Sequence, residues 1–199
     1  MSPAPLCVAA FAPELAAITS QKRAVGIGLI AASRGAALAV AELQPSVVVL
    51  VGTCGAYRQS SLSIGDVIIG TRFNLASVAE ALGFGAVVDG TASMLYSEVG
   101  RTDSFVALGA IRASVATTLA ITTDDAAALS LAGHYGCDVE HLEAHAVAEA
   151  CASAKVPFAC VLGVTNEVGS KGRAQWREHR VRVEARVGAI VERWLRNPS

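Results

Sequence analysis

Short apolar runs rich in Val and Ile alternate along the chain with Ala-rich stretches whose polar residues recur at helical spacing. Runs such as "SVVVLVG" and "PFACVLGV" are too uniformly apolar to have a wet face and read as strands covered on both sides. The pattern predicts strands near residues 6–11, 23–27, 46–52, 65–72, 84–89, 114–121 and 158–165, and helices over 29–43, 124–134, 140–155 and 174–195. Such alternation is that of βαβ units over a largely buried sheet, an α/β class. The charges of the last helix are expected on a solvated face, and the helix is expected to end before Asn197 and Pro198. No repeat, linker or low-complexity segment divides the 199 residues, so one domain over 1–199 is expected.

Composition sharpens this picture. The chain is 53% hydrophobic and 17% charged, which suits covered strands or further burial in a homo-oligomer. A formal net charge of −1, with Lys and Arg clustered only after Gly169, offers no footprint for nucleic acid. Mean hydropathy is +0.48. The longest uncharged run, Leu43 to Tyr57, is nevertheless interrupted by Gln44, Pro45, Ser46 and two glycines, and is too short for a membrane span. The start "MSPAPLCVAAFAPEL" lacks a basic signal region, so a cytoplasmic protein without membrane partners is expected. Cys7, Cys54, Cys137, Cys151 and Cys160 have no paired spacing and read as reduced core residues.

Candidate chemistry begins at "VEHLEAHAVAEAC", residues 139–151. If the segment is helical, at about 100° per residue, Leu142, Ala146, Val147 and Ala150 gather on one side, His141, His145 and Glu149 on the other, and Glu143 falls amid the apolar side. The histidines are i and i+4, but Glu143 points away from them and the order is not HExxH. The reading is therefore no metal, with both histidines on a polar or subunit-contact face. An ionised Glu143 among alanines costs several kcal/mol unless it is given donors. Those donors could be a structural cation, backbone amides or substrate hydroxyls.

Three other segments add to it. "VVVLVGTCGAYRQSSLSIGD" brings Thr53, Cys54 and Gly55 to the carboxyl end of a buried strand, where small residues expose backbone amides. It is neither a Walker P-loop nor a GxGxxG fingerprint. "PFACVLGVTNEVGSKGRAQW" delivers Thr165, Asn166 and Glu167 to a similar position before a glycine-rich loop, where Asn166 could also cap a turn. Glu14 follows the first strand, placed to begin a helix or face a pocket.

In this order the segments resemble the purine nucleoside phosphorylase and nucleosidase superfamily. Its members pair a strand ending in GTxG or GSxG and a following xxGD with a later xMEAxAxAxxC helix and a strand ending in SD or SN. The resemblance runs from about Leu6 to Trp176, and "TNEVGSKGRAQW" looks most like the futalosine hydrolase branch. It implies a three-layer fold with a mixed, partly barrel-like sheet flanked by helices, and a nucleosidase that binds a purine nucleoside without a cofactor.

By this resemblance Glu143 clamps ribose hydroxyls beside Leu142, which replaces a usual methionine, and Glu14 activates the attacking water. Asn166 meets the departing base, with Thr53, Cys54, Gly55 and Thr165 lining the site. Adenine-cleaving members carry Asp at position 166, so Asn166 implies a 6-oxopurine such as hypoxanthine, and futalosine as substrate. Leu50 stands where phosphorolytic members of the hexameric branch place a phosphate-holding arginine, which implies hydrolysis. Leu162 and His141 also depart from the usual residues. The segment between Glu14 and Gly26 is shorter than usual, so part of a pocket wall or a strand pair is expected to be missing.

Overall fold

A computed structural model describes residues 3–89 and 91–196. Its strands are β1 (Leu6–Ala9), β2 (Lys22–Ala24), β3 (Val48–Ala56), β4 (Val67–Leu75), β5 (Met94–Tyr96), β6 (Ile111–Thr117), β7 (Val139–His141) and β8 (Phe158–Glu167). The helices are α1 (Leu29–Leu43), α2 (Val78–Ala81), α3 (Val99–Val106), α4 (Asp125–Tyr135), α5 (Ala144–Ser153) and α6 (Gly172–Leu195). A 3-10 turn, Ala12–Leu15, follows β1.

The sheet is mixed and partly closed. β3 pairs in parallel with β8 and β1, and meets β7 antiparallel at its last residues, Gly55 and Ala56. β7 continues to β6, β6 to β4, and β4 returns antiparallel to β8, so five strands close a ring. β1 and β2 extend the sheet from β3, and β5 extends it from β4. Bulges between Cys54 and Gly55 in β3 and between Gly70 and Arg72 in β4 mark where each strand changes register. Such irregularities give the added twist that curling a sheet requires.

Strand alternation sorts the core into two layers. Leu6, Val8, Val48 and Leu50 face Ala32, Ala36 and Ala39 of α1 and Val147 and Cys151 of α5. Cys7, Ala9, Val49 and Val51 face Phe105 of α3 and Val187, Val191 and Trp194 of α6. Period-two alternation within uniformly apolar strands thus feeds helices on both sides. α6 approaches β8 so closely that a Cβ at Gly163 would lie 2.1 Å from the Val183 side chain. All five cysteines are buried and free. Among the described residues no helix is long and apolar enough to cross a membrane.

α1 falls where the sequence places it, α6 begins two residues earlier, α4 lies one residue later, and the three-layer α/β expectation holds. Asn197 and Pro198, expected to follow the last helix, lie outside the described residues. Three expectations need correction. Residues 84–89 form no strand: Phe84 and Val88 are exposed, and the neighbouring strand is β5, from Met94. The strand expected over 114–121 runs from Ile111 and ends at Thr117. The helix expected over 140–155 begins at Ala144, because Val139–His141 is claimed as strand by pairing to both β6 and β3. That tertiary pairing overrides a helical periodicity which otherwise runs unbroken through the segment.

Candidate active site

The carboxyl ends of β1, β3, β7 and β8 converge on a cavity of about 460 Å³, and Glu14, Thr53, Cys54, Gly55, Leu142, Glu143, Thr165 and Asn166 all line it. The eight residues singled out from the sequence therefore share one space. Ala10, Phe11 and Ile27 supply the wall between β1 and α1. The short segment after Glu14 forms the single strand β2 and returns to the cavity at Ile27.

Glu14 is carried by the 3-10 turn, with Pro13 in its first positions, and is 8% exposed. A Cβ at Gly52 would lie 3.0 Å from Glu14 Oε1, so the glycine before Thr53 makes room for the carboxyl. Glu14 Oε2 is buried with no hydrogen-bond partner among the described residues. Burial first, then the neighbouring carboxylates Glu143 and Glu184, push the Glu14 carboxyl up to about 8, against backbone hydrogen bonds from Thr53 and Ala10. An acid raised in this way changes charge near neutral pH, as a proton-transferring group must.

Glu143 occupies the residue before α5 rather than the helix interior, and is 4% exposed. Its Oε1 accepts the Gly28 backbone N–H at 2.7 Å, so the chain after β2 reaches across to it. Gly28 has φ +82° and ψ 165°, a conformation open to glycine and strained for other residues. Glu143 Oε2 lies 3.4 Å from His141 Nδ1. That approach is no ion pair, because Nδ1 already accepts the backbone N–H groups of Glu143 and Ala144, each at 3.1 Å, and so carries no proton. Burial also holds the His141 imidazole below its ordinary value, against the pull of Glu143.

The histidines therefore correct the expectation of a polar face. His141 and His145 are 6% and 5% exposed, and His145 Nε2 contacts the Ala92 carbonyl at 2.7 Å. No group of three or more His, Cys, Asp or Glu among the described residues could hold a metal ion. His141 is instead an internal cap for the first turn of α5. His141→Ala is expected to leave two buried amides without an acceptor and cost about 3 kcal/mol, read as a lower urea midpoint and a Tm drop of roughly 6–10 °C. An unchanged midpoint would remove the imidazole from this role.

Asn166 closes the opposite wall. Its Nδ2 donates to Glu167 O at 2.8 Å, which leaves a second N–H, and its Oδ1 lies 2.8 Å from Thr165 Oγ1. Gly55 and Gly172 stand against the amide, where a Cβ would lie 2.8 and 3.2 Å from Nδ2. The Cys54 thiol turns toward Gly163 O at 3.6 Å, and burial pushes its pKa well up, so Cys54 contributes backbone: its carbonyl faces Thr165 Oγ1 at 3.2 Å.

Among the cavity residues not expected from the sequence, three bear a charge or an indole N–H. Glu140 lines the cavity, but Thr122 N at 2.9 Å, Thr122 Oγ1 at 2.6 Å and Tyr57 Oη at 3.1 Å donate to its two oxygens. Its burial is thus answered by the protein, whereas that of Glu143 is answered on one oxygen only. Trp176 donates from Nε1 to Thr53 Oγ1 at 3.2 Å, under the guanidinium of Arg180 at 4.9 Å from the ring centroid. Arg173 is the one Lys or Arg in the described lining. A lone Trp shortly after a glycine-rich loop was the available signal for that wall.

The model of the phosphorylase superfamily matches residues 16–196, and the chain belongs to that superfamily. The 5′-methylthioadenosine/S-adenosylhomocysteine nucleosidase of Helicobacter pylori superposes with a TM-score of 0.88 at 10% identity, over 98% of each chain. The S-adenosylhomocysteine nucleosidase of Streptococcus pyogenes gives 0.87 at 17%, over 100% of this chain and 99% of the other. The futalosine hydrolase of H. pylori gives 0.86 at 9%, over 96% of each. At such identities the likeness is one of fold.

Proposed function

We propose that the protein is a nucleoside N-ribohydrolase that cleaves the N-glycosidic bond of a 6-oxopurine nucleoside, most like futalosine. The observation that carries this reading is the buried Glu143, which has one backbone donor, no protein cation among the described residues, and a cavity beside it. Ribose hydroxyls supply the donors it lacks, as charge-assisted hydrogen bonds. Glu14, with its unpartnered oxygen in the same cavity, takes a proton from the attacking water while the sugar passes through an oxocarbenium-like state. The free N–H of Asn166 donates to the base at N7 or O6 as negative charge gathers there, worth roughly 3 kcal/mol in the transition state. An amide donates to a carbonyl at any pH, which favours hypoxanthine over adenine as leaving base.

Leu50 is fully buried, so the position that holds phosphate in arginine-bearing relatives offers no charge, which favours water as nucleophile. Exposed Ile27 and Ile121 at the cavity, with Ile30, three residues after Ile27, 80% exposed, support a homo-oligomer. The test is incubation with futalosine, inosine, adenosine and methylthioadenosine, with and without phosphate, following free base by chromatography. The expected result is phosphate-independent release of hypoxanthine. Release of adenine alone would instead assign the specificity named for the H. pylori and S. pyogenes nucleosidases. Ribose 1-phosphate would assign phosphorolysis.

A further inference from the structure

Between the end of β8 at Glu167 and the start of α6 at Gly172 runs the turn that follows Asn166, and its restraints come from outside the cavity. Asp125, the first residue of α4, accepts the Ser170 N–H at 2.8 Å through Oδ1, and its Oδ2 lies 3.2 Å from Ser170 Oγ. Gly169 has φ +128°, and a Cβ there would fall 2.3 Å from Asp125 Oδ1, so the turn presses its backbone onto this carboxylate. Arg58, just beyond β3, places Nε 3.3 Å from Glu167 Oε2 and Nη2 3.8 Å from Asp125 Oδ2.

Stability does not account for this cluster. The Arg58, Asp125 and Glu167 side chains are each about half exposed, and exposed ion pairs add little to a fold. Nor is Asp125 needed to cap α4, because Asp124 already accepts the Ala127 N–H at 2.8 Å. Every side-chain partner of Asp125 lies on the turn or ties it to β3. The link to the cavity is short: Asn166 Nδ2 donates to Glu167 O, so the orientation of that peptide group, together with the Thr165 hydroxyl on Oδ1, sets the plane of the Asn166 amide. Gln175 Oε1 accepts the N–H of Glu167 at 2.9 Å and holds the residue from the α6 side.

We infer that Asp125, with Arg58, is a positioning device that fixes the turn after β8 and thereby aims the Asn166 amide at the departing base. This rests on the reading that Asn166 acts there. Displacing a catalytic group by about 1 Å can cost 100-fold. Asp125→Ala is therefore expected to lower kcat on a hypoxanthine nucleoside by about 10- to 100-fold with KM changed less than roughly 3-fold. Asp125→Asn, which keeps one acceptor for Ser170 N–H, is expected to restore most of the rate, and Arg58→Ala to lose a smaller part of it. These two variants carry the test should Asp125→Ala fail to fold.

The deciding measurement is a double-mutant cycle. In an Asn166→Ala background Asp125→Ala is expected to have almost no further effect, because the group it positions is gone. Equal losses in both backgrounds, a loss confined to KM, or no loss would overturn the inference while leaving the proposed hydrolase standing. A wild-type protein that cleaves no purine nucleoside would overturn both.

Discussion

Glu14→Gln is expected to lower kcat by about 100- to 10,000-fold, the range of a lost general base, while making the protein more stable above neutral pH. Both effects come from one raised carboxyl. Burial, and after it Glu143 and Glu184, hold the acid at about 8. Its unfolded value is the ordinary 4.5, so between the two values the folded state binds the extra proton and the free energy of unfolding falls as pH rises. The stabilisation is complete below the unfolded value and lost as pH rises through about 8. Its full extent is about 5 kcal/mol.

Wild-type Tm should therefore decline from pH 5 to pH 9 more steeply than that of Glu14→Gln, whose amide does not titrate. Activity runs the other way, since only the ionised base accepts a proton from water: kcat/KM of the wild type should climb with pH and level off above about 8. Parallel Tm profiles for the two proteins, or a kcat/KM that falls over that interval, would contradict this assignment of Glu14.

Glu143→Gln is the second large effect, with kcat/KM reduced about 1,000-fold on a ribonucleoside. A carboxylate can accept both sugar hydroxyls, whereas the amide offers one acceptor and turns a donor toward the other. Two charge-assisted bonds at about 2 kcal/mol each account for the size. The discriminating substrate is a 2′-deoxynucleoside, which the wild type should cleave far more slowly than the ribonucleoside while the variant barely distinguishes the two. Glu143 also raises the Glu14 carboxyl through like charge, so the variant's residual pH profile should shift to lower pH. A variant that lost activity by unfolding would show it in Tm, and the carboxylate would then be structural.

Glu143 was legible in the sequence. It stood out because a charge amid alanines demands an explanation, and that logic survives although its geometric premise does not. The residue precedes α5, and His141 lies on a strand. Three-residue strands such as β7 and β5 have no periodicity of their own and exist through their partners, so they stayed invisible. The opposite error arose at 84–89, where residues of strand type meet no neighbour to pair with. Asn166 and the Thr53–Gly55 segment were legible because each lies at the carboxyl end of a long apolar strand, and Glu14 because it shortly follows the apolar β1; strand ends converge in this class of fold. The role of His141 was not, since two amides on an imidazole nitrogen are a property of a turn rather than of a residue pattern.

The closed ring of strands bears on how copies of this chain can meet. Its only open margins among the described residues are β2 and β5, three residues each. So short a row of free main-chain donors and acceptors is a poor template for adding a foreign strand. Self-association is thereby left to side-chain surfaces, and the protein can carry an unusually oily composition with little exposure to edge-templated aggregation.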